Sequence, residues 1–171
     1  HGHLEAVGYD MYMKMLSDAI GEQNGKVNVT EAECTVDIDL AAHIPESYIP
    51  ALSQRLGMYR RIASITTKED ILDVTDELCD RFGEPPSAVM GLIDVAYLRS
   101  VAAGLGITEI RQQNGMLLLF VKEISPETIS KMAAKFGRDF YLSAGDKPYF
   151  SIRPKKDKPI IKTLEEITEA L

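Results

Sequence analysis

Apolar and polar positions change their period several times along the chain, and each change predicts an element. Residues 4–21 place Tyr9, Tyr12, Leu16 and Ile20 at helical spacing, and a polar stretch from Gly21 to Gly25 follows. This predicts an amphipathic helix and a linker. From Lys26 to Leu40 the period falls to two: Cys34, Val36, Ile38 and Leu40 alternate with Thr35, Asp37 and Asp39, as in a strand with one buried face. Pro45 and Pro50 bracket a turn, after which Leu52, Leu56, Tyr59, Ile62 and Ala63 repeat at three and four. Thr67 and Asp70 form a capping-box pattern at the start of a further helix, which Gly83 and the pair Pro85-Pro86 stop. The next helix, Ser87 to Leu105, is apolar over most of its circumference and is expected at the centre of the core.

Beyond Gly106 the character changes. Ile107–Gln113 and Met116–Lys122 flank Asn114-Gly115, the strongest short hairpin signal. Ser125-Pro126 opens a short helix to Phe136, and a second hairpin pairs Phe140–Ser143 with Tyr149–Arg153 around Gly145-Asp146. Pro159–Leu171 closes the chain with Ile160, Leu164, Ile167 and Leu171 on one helical face. Helices first and hairpins later give the α+β class: N-terminal helices packed with a mixed or antiparallel sheet containing two β-hairpins, and a C-terminal helix. Residues 1–24 are read as a helix and linker, and 25–171 as one domain.

Composition narrows the function. With 45% apolar and 26% charged residues in 171, the chain can build a core without staples. No stretch reaches the roughly 18 consecutive apolar residues of a membrane span, and no secretory leader opens the chain. Cys34 and Cys79 read as reduced, buried small hydrophobes, which places the protein in the cytoplasm. The start at His1-Gly2-His3, without methionine, is read as the cut end of a fragment rather than a copper-binding terminus. A net charge of -7 and a pI near 5.0 repel nucleic acid, so DNA is not an expected partner.

The chain shows no strong catalytic constellation. It contains neither GxxxxGK[ST] nor GxSxG, and its glycines at Gly104 and Gly106 end a helix rather than open one. His43 stands alone in a loop, away from other metal-ligating types. Asp37 and Asp39 share one strand face and read as a solvated surface. Lys155, Lys156 and Lys158 form a basic run between Pro154 and Pro159, an exposed loop. With Arg153 this run is the one feature favouring a nucleic-acid-binding accessory module. An unrecognised small enzyme would need a pocket with carboxylates of raised pKa.

The segment Lys68–Glu84 holds seven acidic residues against two basic ones, and so carries -5 of the net -7. Ile71, Val74, Thr75, Leu78 and Phe82 form its core-facing stripe, while Asp73, Glu77, Asp80 and Arg81 fall on the other side. Glu77 and Arg81 stand four apart and can pair, an effect of about 0.2–0.5 kcal/mol. Acids near the first turn favour the helix dipole, but Glu77 and Asp80 lie towards the other end, where they gain nothing from it. That placement favours a partner surface.

Three ordered motifs carry a family resemblance. Ile44-Pro45, Tyr48-Ile49-Pro50, Arg55-Leu56 and Tyr59-Arg60-Arg61-Ile62-Ala63 form the first. Glu77-Leu78-Cys79-Asp80-Arg81-Phe82-Gly83 is the second, followed by Pro86, Leu98-Arg99 and Leu105-Gly106-Ile107. Both resemble the C-terminal (TRCF) domain of bacterial transcription-repair coupling factors, the Mfd family. The opening Gly2-His3-Leu4-Glu5-Ala6-Val7-Gly8-Tyr9-Asp10 resembles the segment that follows that family's translocase module. The motifs span residues 2–107.

The resemblance implies a non-catalytic regulatory domain within an ATP-driven DNA translocase that removes stalled RNA polymerase and recruits nucleotide excision repair. It implies that this domain packs on an N-terminal UvrB-like module and masks the surface that binds UvrA. The family's contacts map onto Glu77, Asp80 and Arg81. No cofactor is expected in this chain, since ATP would bind upstream in the parent protein, and no metal or membrane is implied. RNA polymerase and UvrA would be reached through the parent.

Overall fold

A computed structural model describes residues 34–171. The helix and linker expected over 1–24, the terminus His1-Gly2-His3 and the Lys26–Glu33 part of the first strand lie outside the described residues. The described chain holds five α-helices and one five-stranded mixed sheet, the α+β class that the periodicities predict. It divides into two compact units, 39–97 and 34–38 with 98–171.

In the first unit, the turn between Pro45 and Pro50 closes through the Tyr48 and Ile49 amides, which donate to the Pro45 carbonyl at 3.0 and 3.1 Å. Helix α1 (Leu52–Ala63) buries Met58, Tyr59 and Ile62. Leu52, on the same apolar repeat, sits at the open start of the helix and is 58% exposed. Arg60 and Arg61 occupy the last turn, where cations oppose the partial negative charge of the helix end. Helix α2 (Lys68–Phe82) starts at the predicted capping box: Thr67 Oγ1 accepts from the Asp70 amide at 3.1 Å, and the Asp70 carboxylate accepts from the Thr67 amide at 2.9 Å. Val74 and Leu78 are fully buried, and the flanking stripe positions Ile71, Thr75 and Phe82 are half-buried.

Helix α3 (Ser87–Gly104) belongs to the first unit through Tyr97 and to the second from Leu98. By length and composition it is long and apolar enough to cross a membrane. Val89, Leu92, Ile93, Val95, Ala96 and Leu98 are nevertheless at most 4% exposed, so it is a core helix, as its all-round apolarity predicts. Gly91 is buried, and a β-carbon there would stand 2.5 Å from the Ala41 carbonyl oxygen. Beside it the His43 amide donates to the Ala88 carbonyl at 3.2 Å, pinning the preceding loop to the helix.

The second unit is built on the sheet β1 (Thr35–Asp37), β2 (Ile107–Gln113), β3 (Met116–Val121), β4 (Phe140–Ser143) and β5 (Tyr149–Ile152), in the spatial order β1-β2-β3-β5-β4. β1 runs parallel to β2, and the other pairings are antiparallel. Both predicted hairpins form; Asn114 and Gly115 take φ of 52° and 73°, the signs a two-residue primed turn needs. The register aligns Val36, Ile110, Leu119 and Phe150 as one buried row across four strands. β1 is shorter than its alternation predicts and ends at Asp37, so Asp39 lies in a bend and does not share a strand face with Asp37.

Helix α4 (Pro126–Phe136) begins with the Ser125 hydroxyl accepting from the Thr128 amide at 3.1 Å, and a 3₁₀ turn, Gly137–Asp139, leads from it into β4. Helix α5 (Ile160–Ala170) buries Ile161, Thr163, Leu164 and Ile167. Its buried face is therefore rotated from the expected one: Ile160 and Leu171 are only half-buried, and Ile161 and Thr163 point inward instead.

Candidate functional site

The charged segment forms one outward face of α2, and the local chemistry fixes both of its ends. At the start, the amides of Thr66 and Thr67 and the Thr67 hydroxyl stabilise the ionised Asp70 carboxyl and hold its pKa below the ordinary value. At the finish, Gly83 takes φ +86° and ψ -173°, a backbone region essentially reserved for glycine. The Tyr48 hydroxyl then donates to the Gly83 carbonyl at 2.7 Å and approaches the Leu78 carbonyl at 3.3 Å. Its ring meets Phe82 edge-on, with centroids 6.1 Å apart. Burial pushes the Tyr48 phenol pKa up, because the phenolate loses water, and the neighbouring Cys79 adds to the shift. Tyr48 thus satisfies the orphan Gly83 carbonyl at the end of the helix that carries the charges.

The three predicted contact residues are brought together, but unequally. Glu77 accepts from Arg81 Nη1 at 3.0 Å and stands 3.4 Å from Arg61 Nε, so one carboxylate bridges two guanidinium groups. Arg81 also lies over the Phe82 ring, 4.8 Å from its centroid, and its Nη1 approaches Met58 Sδ at 3.6 Å. All three charged side chains are between 34% and 45% exposed, so the cluster is accessible and its pairs contribute about 0.2–1 kcal/mol each. Asp80 is exposed and forms no ion pair among the described residues. Asp73 and Asp76 are also exposed, as is Leu72 at 65%.

This geometry changes the reading of Glu77. Its place late in the helix has a structural reason, two cations that compensate its charge. Arg61 is the member of the cluster that sequence spacing does not assign. It is sixteen positions from Glu77, and only the approach of α1 to α2 joins them. Cys79 also departs from expectation: it is exposed, on the polar side of α2, whereas Cys34 is buried. The helical stripe runs through Leu78, and the neighbouring position necessarily turns about 100° away from it.

Residues 38–132 match the model of the TRCF domain family. A transcription-repair-coupling factor of Bacillus subtilis is 34% identical over 91% of this chain, and one of Borreliella burgdorferi is 31% identical over 77%. The chain spans only 14% and 12% of the lengths of those relatives. In fold it is similar to the crystal structure of a C-terminal domain of a transcription-repair coupling factor. The TM-score is 0.71 at 15% identity, covering 81% of this chain and 89% of that one.

Proposed function

This chain belongs to the TRCF domain family found in transcription-repair coupling factors, and from that premise we propose that it is a regulatory, protein-binding domain that holds its parent protein in a closed state. The reading assigns it no chemistry of its own. The parent uses ATP bound upstream to translocate on DNA, removes stalled RNA polymerase and recruits excision repair. The domain docks on an N-terminal UvrB-like module and masks the surface to which UvrA binds.

The observation that carries this reading is the outward face of α2, where Glu77, Asp80 and Arg81 stand together inside the matched region. Rim charges of this kind give orientation and partner choice more than raw affinity. Asp80 forms no ion pair among the described residues and would seek a cation on the partner. Glu77 and Arg81, already paired, with Arg81 resting on Met58 and Phe82, offer a preorganised platform that loses little side-chain freedom on docking. A weak polar interface suits a tethered lid: the link supplies a high effective concentration, and a modest remodelling opens it.

The test is the triple substitution Glu77→Ala, Asp80→Ala, Arg81→Ala in the full-length parent. UvrA capture should rise at least about tenfold, the gain expected when roughly 1.4 kcal/mol of closure is removed. Capture equal to that of the unaltered protein, with the domain still folded, would remove the α2 face from the mechanism.

A further inference from the structure

We propose that the second unit carries a binding site for a small phosphate-bearing molecule, in the recess bounded by the end of α4, the Pro154–Lys158 segment and α5. The recess has a volume of about 280 Å³. That is near the lower end of the roughly 300–1,000 Å³ typical of small-molecule sites, enough for a phosphate and a compact organic body. This inference does not depend on the regulatory reading of α2.

Charge makes the first part of the case. Lys135, Arg153, Lys155 and Lys158 line the recess, against Asp139 and Glu166, in a chain whose net charge is -7. Lys158 and Glu166 neutralise each other at 2.6 Å. Lys135, Arg153 and Lys155 form no ion pair among the described residues, so the recess keeps an excess of cations. The Glu166 carboxyl senses that excess: its pKa is held down first by the hydrogen bond from Lys158 and also by the fields of Lys158, Lys135 and Lys155. Arg153 is oriented as well as charged, with its guanidinium 5.6 Å from the centre of the Tyr141 ring and its amide donating to the Asp139 carbonyl at 2.9 Å.

The second part is independent of charge. Thr163 lines the same recess, is 3% exposed, and its hydroxyl has no hydrogen-bond partner among the described residues. Buried polar atoms are nearly always partnered, and one left alone in a native fold calls for an explanation. A ligand oxygen supplies it, because the hydroxyl can donate to a phosphate while the cations balance its charge. Several acceptor oxygens and up to two negative charges match the three cations that form no ion pair among the described residues better than a monoanionic carboxylate does. Phe136, Ile152 and Pro154 give the apolar walls against which an organic body would rest.

A free small molecule fits better than a nucleic-acid backbone. A polymer would bring its charge past the whole acidic surface, whereas a compact anion within the recess feels chiefly charges inside one Debye length, about 8 Å at physiological salt. Adenosine monophosphate and inorganic phosphate are the probes, titrated into the full 171-residue chain at about 0.15 M salt. Heat and amide shifts should show saturable one-to-one binding of the nucleotide, with shifts confined to residues near Arg153 and Thr163. The double variant Arg153→Gln, Lys155→Gln should weaken it at least about tenfold, since charged hydrogen bonds are lost. Thr163→Val should weaken it several-fold with an unchanged or higher melting temperature, which separates ligand loss from misfolding. No saturation at about 10 mM nucleotide would overturn the proposal. So would affinity indifferent to the double variant, or a single-stranded oligonucleotide that binds more tightly and displaces the nucleotide.

Discussion

Tyr48 shows how one side chain serves both fold and site. Its hydroxyl donates to the carbonyl that follows α2, and its ring packs on Phe82, which in turn lies beneath Arg81. Tyr48→Phe keeps the ring and removes the donor, and should cost about 0.5–1.5 kcal/mol of unfolding free energy at neutral pH. The pH dependence has a definite sign. Because burial raises the folded pKa above that of the unfolded chain, the contribution is complete below about pH 10 and is lost as pH rises through the folded value. Unfolding curves between pH 8 and 12 should therefore bring the variant and the parent chain closer together at the alkaline end. A gap that widens there would contradict the assigned donor role.

Among the elements, α3 sets two rules against each other. Helix propensity favours alanine over glycine at an interior position by about 1 kcal/mol, so Gly91 costs the isolated helix something. At Gly91, however, a β-carbon would meet backbone rather than a yielding side chain, at 2.5 Å from the Ala41 oxygen. Overpacking against backbone typically costs about 1–3 kcal/mol, so the close approach should win. Gly91→Ala is expected to lower the melting temperature and to weaken amide-exchange protection at His43, whose amide bonds to the same helix. A more stable Gly91→Ala protein would mean that helix propensity dominates.

For the whole molecule, charge distribution is the governing property. The net -7 is concentrated in Lys68–Glu84, while the recess of the second unit is locally basic. If the α2 face docks through its charges, association with the separately expressed UvrB-like module should depend on salt. Raising ionic strength from about 0.1 to 1 M shortens the Debye length from about 10 to 3 Å. Affinity should fall several-fold over that range, mainly through slower association. An affinity that rises with salt would point to an apolar contact, for which exposed Leu72 on the same helix is the obvious anchor.

What the sequence determined by itself is mostly local. The capping box at Thr67, the Ser125 cap, the Asn114-Gly115 turn, the buried stripe of α2 and the all-round apolarity of α3 rest on hydrogen bonds and residue patterns within a few residues. Such features follow from backbone geometry alone and need no partner element. The family motif also lies in linear order, so Glu77, Asp80 and Arg81 were legible as a group. Only the tertiary structure decided what each of them meets. It brought Arg61 to Glu77, Tyr48 to the end of α2, β1 alongside β2 in parallel, and Thr163 into a recess ringed by lysines and an arginine. It also turned Ile161 rather than Ile160 inward and left Cys79 on the surface. These outcomes depend on which distant surfaces meet, a balance of many small burial and ordering terms summed over the chain. No window of neighbouring residues contains that sum.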